Sequence, residues 1–104
     1  PSAANVMGHE GSFVTLIKPQ FEAGRGQVGK HGVVREAETH GQVIRGLRDF
    51  ASGMGWRMDK LSFSPIKGPR GNIEFLAHLL FGEGPFIQDE QIHETVKEAH
   101  RELS

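Results

Sequence analysis

The chain contains no cysteine. That excludes disulfides, thiolate metal sites and cysteine nucleophiles, and it fits a reducing, cytoplasmic setting. No apolar run approaches the roughly 20 residues that span a bilayer, and no signal peptide is visible. Apolar residues are scarce for a self-sufficient core: 37% of 104 residues, diluted by 14 glycines. A chain of this length is one domain at most, or part of a larger one. Beginning at Pro1 without a methionine, it is expected to be processed or to be the tail of something longer. A strong charge of one sign is also missing. The net charge of −1 argues against a free-standing nucleic-acid binder, which is normally basic.

The charge is unevenly placed. Between residues 18 and 35, Lys18, Arg25, Lys30 and Arg35 face only Glu22. Between 45 and 70, Arg45, Arg48, Arg57, Lys60, Lys67 and Arg70 face Asp49 and Asp59. The last stretch is acidic, with Glu83, Asp89, Glu90, Glu94, Glu98 and Glu102 against Lys97 and Arg101. Each charge taken singly reads as part of a solvated face. As a set, the two basic stretches fall in the loops nearest the candidate site, and the acidic tail faces away from any phosphate.

Phe13-Val14-Thr15-Leu16-Ile17 is a continuous apolar, β-rich run preceded by the turn-like His9-Glu10-Gly11. Apolar on both faces, it predicts a buried parallel strand, and Pro19 blocks its continuation. Residues 18–34, with Gly24, Gly26, Gly29 and Gly32, predict a loop. From Ala37 the period turns helical, with Val43, Ile44, Leu47, Phe50 and Ala51 on one stripe and Gly53 and Gly55 as the stop. Trp56 to Phe63 predicts a strand with Trp56, Met58 and Lys60 on one face and Leu61 and Phe63 on the other. The turn-rich Ser64–Gly71 leads into a second strand, Asn72 to Leu80, and the two pair antiparallel. A last helix, Asp89 to Leu103, aligns Ile92, Val96, Ala99 and Leu103. Strand, helix, strand, strand, helix is too short for a doubly wound α/β sheet but matches the last half of one.

Lys18 ends the first strand, at the rim where open α/β sheets bind ligands. Glu74, third residue of a strand running the other way, starts on the same rim. If those strands are neighbours, the two side chains meet. A lysine beside a carboxylate serves as a tuned base or an orienting donor, or the pair is a structural salt bridge.

The segments Leu16-Ile17-Lys18-Pro19-Gln20-Phe21-Glu22-Ala23-Gly24, Phe63-Ser64-Pro65-Ile66 and Gly71-Asn72-Ile73-Glu74-Phe75-Leu76 closely resemble the C-terminal part of the TlyA family. These are bacterial proteins called haemolysin A and rRNA methyltransferase. The match runs from about Phe13 to Leu80, with a weaker echo in the last helix. It implies the C-terminal half of a Rossmann-like, FtsJ-like methyltransferase sheet, without the N-terminal half or the RNA-binding domain. The family's catalysis is attributed to a lysine–aspartate–lysine–glutamate tetrad, in which Lys18 matches the second lysine and Glu74 the closing glutamate. The resemblance implies that Lys18 orients the ribose 2′-hydroxyl of ribosomal RNA and that Glu74 holds a lysine. The methyl donor would be S-adenosylmethionine, bound through the missing half, so no cofactor-binding residue is assigned here. Arg25, Lys30 and Arg35, in a loop whose composition family members share, read as contacts to RNA phosphates, against the alternative of a solvated lid.

Other patterns fail on context. Gly24 through Lys30 fits both dinucleotide-binding and phosphate-loop spacing, but His31 stands where Ser or Thr meets magnesium, and no helix begins there. The six histidines show no metal-ligand spacing; His93 and His100 lie seven apart, not four. The leading function is therefore RNA 2′-O-methylation by the parent protein. The alternatives are a membrane-damaging haemolysin and a non-catalytic RNA-binding module. A haemolysin is poorly supported because the one amphipathic candidate, Asp89–Leu103, is acidic. By itself the chain is expected neither to bind S-adenosylmethionine tightly nor to transfer methyl groups, and to self-associate through the bare edge of its first strand or fold poorly. Micromolar binding in a calorimetric titration would contradict the first expectation; a monomeric chain with a sharply cooperative unfolding transition would contradict the second and the half-domain reading.

Overall fold

Proline offers no amide hydrogen to a sheet and fixes its own φ, so Pro19 sets the first boundary. In the computed structural model, which describes residues 7–9, 11–22 and 37–103, the apolar run before it forms β2, Ser12–Ile17. Pro19 then opens a four-residue helical turn, α1, Pro19–Glu22, at a position where proline is tolerated. That turn replaces the first part of the loop expected from residue 18; the remainder lies outside the described residues. A strand that the sequence reading did not anticipate, β1 (Met7–His9), precedes β2. Gly11, at φ 88°, supplies the turn between them, a conformation that favours glycine.

Next among the described elements come α2 (Ala37–Gly53), β3 (Trp56–Phe63), β4 (Phe75–Phe81) and α3 (Asp89–Leu103). The sheet order is β1-β2-β4-β3, and each neighbouring pair is antiparallel. The expected parallel sense of β2 therefore holds only relative to β3, because β4 inserts between them. The expected bare edge is also corrected: Met7, Gly8 and His9 pair with Val14, Phe13 and Ser12.

The faces of β3 differ from simple alternation. Met58 pairs with Leu79 and Lys60 with His78, leaving Asp59 as an extra residue in a bulge. A bulge shifts side-chain parity. Leu61 and Phe63 thereby join Trp56 and Met58 on the inner face, opposite Ala77 and Phe75, whereas Lys60 turns outward. Ile17, Met58, Phe75, Ala77 and Leu79 on that face meet Val43 and Ile44 of α2 and Ile92, Val96 and Ala99 of α3 in one core. Phe50, placed on the apolar stripe of α2, is instead 55% exposed; the buried stripe runs through His40, Val43 and Ile44. The other sheet face is only part-covered, with Val14 38% exposed and Leu16, Leu76 and Leu80 intermediate. The core is one-sided, which matches the lean apolar content.

The helix ends are fixed locally. Met54 and Gly55 donate to the carbonyls of Ala51 and Ser52 at the end of α2, and Gly82 donates to Gly55 O, tying that end to β4. Gly55 sits at φ 89°, consistent with its reading as a stop signal. At the start of α3, Asp89 takes Arg48 Nη1 at 2.7 Å, and the same nitrogen donates to Ile87 O at 3.4 Å. Burial works against the Arg48 charge, but its hydrogen bonds and charge pairing with Asp89 and Asp49 outweigh that and raise its pKa.

α2 and α3 are joined by an imidazole pair. His40 Nδ1 and His100 Nε2 lie 2.8 Å apart, and the fully buried His40 ring meets Phe75 edge-on at 5.5 Å. One ring must donate and the other accept, so the contact requires an unprotonated nitrogen. Burial lowers the His100 pKa below its ordinary 6.5. The unfolded imidazole then protonates first, so stability is full above about pH 6.5 and declines as pH falls below it. Urea midpoints should fall across that range, and the fall should be shallower in His100→Gln; identical pH dependence in both proteins would contradict the assignment.

Candidate active site

The register of β2 against β4 positions the site. Ile17 pairs with Phe75, Lys18 follows Ile17, and Glu74 precedes Phe75. Both side chains consequently leave the sheet at one rim. Glu74 lies just outside β4 and not at the expected third position within it, because residues 72–74 still belong to the connecting loop. That loop closes on itself through Ser64 N to Glu74 O at 2.9 Å and Gly68 N to Asn72 O at 2.7 Å. Ser64 Oγ also donates to Ile66 O at 3.0 Å.

Lys18 Nζ lies 3.7 Å from Glu74 Oε2, with the lysine side chain 28% exposed and the glutamate 7%. A separation of 3.7 Å is an attraction between charges and not a hydrogen bond. The lysine therefore keeps its donors for other acceptors while a buried negative charge holds it at the rim. The carboxylate's hydrogen bond comes from elsewhere: Gln20 Nε2 donates to Oε2 at 3.1 Å. On the remaining side stands Gly68. A Cβ there would lie 2.2 Å from Glu74 Oε2, 2.4 Å from its carboxyl carbon and 2.9 Å from Oε1. A Cβ at residue 68 would therefore force the Glu74 carboxylate to shift, an effect of space and not of backbone angle.

Burying a carboxylate is costly unless it is paired and hydrogen-bonded. Here both conditions are met around one side chain beside a part-exposed amine. Such an arrangement can orient a hydroxyl and help remove its proton. The structure thus brings Lys18 and Glu74 together. Arg25, Lys30 and Arg35 lie outside the described residues. Sequence reasoning missed Gln20 and Gly68. Gln20 is visible in hindsight, since a helical turn directly after Lys18 brings it back over the rim. Gly68 carries no such signal.

A second polar pair lies elsewhere. Asp59, on the bulge, meets His78 with Oδ1 to Nδ1 at 2.5 Å. The pair borders an open cavity of about 680 Å³ between the sheet and α3, lined also by Val14, Leu61, Leu76 and Thr95. Neither Lys18 nor Glu74 lines it. Among the described residues no three His, Cys, Asp or Glu side chains form a group able to hold a metal ion.

The chain is similar in sequence and fold to known proteins. Residues 2–81 match the FtsJ-like methyltransferase family. The candidate rRNA methyltransferase YqxC of Bacillus subtilis is 46% identical over 94 residues, covering 86% of this chain and 34% of that protein. The 16S/23S rRNA (cytidine-2′-O)-methyltransferase TlyA of Mycobacterium tuberculosis is 34% identical over 79 residues, 76% of this chain and 30% of that one. Among solved structures, a candidate hemolysin from Streptococcus thermophilus superposes with a TM-score of 0.81 at 47% identity, covering 88% of this chain and 33% of that one. The chain spans about a third of the length of the curated relatives it matches.

Gly68→Ala tests the packing at the rim. It should cost about 1–2 kcal/mol of stability by displacing the Glu74 carboxylate, and close to nothing once Glu74→Ala has removed that group. Equal costs in both backgrounds, measured by urea unfolding, would contradict the steric account.

Proposed function

We propose that this chain, which belongs to the FtsJ-like methyltransferase family, carries the catalytic rim of an enzyme that methylates ribose 2′-hydroxyls of ribosomal RNA. On this reading it is the C-terminal portion of the methyltransferase domain. The observation that carries the proposal is the part-exposed Lys18 amine held 3.7 Å from the buried Glu74 carboxylate. Lys18 hydrogen-bonds the acceptor hydroxyl and assists its deprotonation. Glu74 keeps the amine at the rim and offsets its charge. Positioning of this kind supplies much of the rate in a group transfer. The relatives named as rRNA methyltransferases support the choice of substrate, and an rRNA substrate implies work in the cytoplasm. Arg25, Lys30 and Arg35 would contact RNA phosphates.

The methyl donor of this reading is S-adenosylmethionine, which would supply the methyl group, and no residue described above is assigned to hold it. The hemolysin names among the relatives gain no support from the fold. No helix among the described residues is long and apolar enough to cross a membrane, and α3 carries acids in its first turn.

The test is transfer of labelled methyl from S-adenosylmethionine to RNA of each ribosomal subunit by the full-length product of this reading frame. Lys18→Ala should lower transfer by about a hundredfold or more. Undiminished transfer in that variant, or none by the wild type, would contradict the proposal.

A further inference from the structure

Glu74 Oε2 accepts from Gln20 Nε2 at 3.1 Å while Lys18 stands off at 3.7 Å. Charge attraction fixes a distance only loosely, whereas a hydrogen bond also fixes direction. The orientation of the carboxylate is therefore set by the glutamine and not by the lysine. Gly68 completes the setting, since its lack of a Cβ is what admits the carboxylate.

Gln20 is itself well anchored. It is the second residue of α1, directly after Pro19, whose ring is fully buried and whose φ is fixed. The sense of its amide is determined too, because turning Oε1 toward the carboxylate would oppose two acceptors. That leaves Gln20 Oε1 buried and, among the described residues, without a hydrogen-bond partner. A glutamine serving only to hold the fold together would have both ends satisfied. Among the described residues this one is satisfied only at the end that meets Glu74.

We infer that Gln20 is a positioning residue, which fixes the Glu74 carboxylate so that its charge stays on the Lys18 side of the rim. The inference rests on the methyltransferase reading for its consequence in catalysis, and on geometry alone for the contact.

Two measurements on the full-length product of the reading frame test it. In the first, Gln20→Met, close in size but unable to donate, should lower kcat for methyl transfer about tenfold and leave KM for RNA within about twofold. Gln20→Glu, which sets a second carboxylate against the first, should lower kcat further. In a Glu74→Ala background Gln20→Met should change the residual rate by less than about twofold, because its effect passes through Glu74. An unchanged kcat in Gln20→Met, or the same tenfold loss in both backgrounds, would overturn the inference while a dead Lys18→Ala still upheld the enzyme. The second is a urea-unfolding cycle of Gln20→Met with Glu74→Ala, which needs no activity. Coupled effects support the contact, and strictly additive effects overturn it even if no methyl transfer is found.

Discussion

The insertion of β4 between β2 and β3 is the constraint on which the rest depends. β2 and β3 run in the same direction and are joined across the α2 crossover, yet neither hydrogen-bonds the other. β4 runs against both, so its first residue meets the last residue of β2, Phe75 against Ile17. The residues just beyond that pair, Lys18 and Glu74, are then brought together from positions 56 residues apart in the chain. A parallel pairing would have sent them to opposite rims. Burial reinforces the register, because a slip of one residue would turn Phe75, Ala77 and Leu79 out of the core.

The same register explains why the protein manages with so few apolar residues. One face of the sheet packs on α2 and α3, and the core is built there from Ile17, Met58, Phe75 and their partners. The other face stays half-covered. The bulge at Asp59 makes the inner face continuous, since without it Leu61 and Phe63 would point away from the helices. The carboxylate displaced at that point is met by His78. The two helices are locked to each other by ion pairing at Arg48 and by the imidazole contact between His40 and His100.

Much of this was legible in the sequence where local chemistry decides. The bounds of β3 and α3 follow from periodicity, glycine stops and β-branched or aromatic runs. The rim pair follows from the placement of Lys18 and Glu74 at the ends of predicted strands. What was not legible depends on partners distant in sequence. The bulge exists only in relation to β4, so alternation within Trp56–Phe63 cannot reveal it. β1 is three residues long and gains its strand character by pairing with β2. Phe50 shares the helical stripe but not the burial, because periodicity shows which side of a helix faces inward and not what lies opposite each turn. Gly68 serves by leaving space for a side chain six residues on, and nothing in its neighbours announces that.

On the proposed reading the rim presents a ribose hydroxyl, and not a base, for methylation. Alkaline hydrolysis decides this directly, because cleavage of RNA requires the free 2′-hydroxyl beside each phosphate. RNA labelled by the full-length product should be hydrolysed and its fragments sized. The account predicts label in alkali-resistant dinucleotides, lost when Lys18 is replaced by alanine. Label recovered in mononucleotides would mean a methylated base and would contradict it.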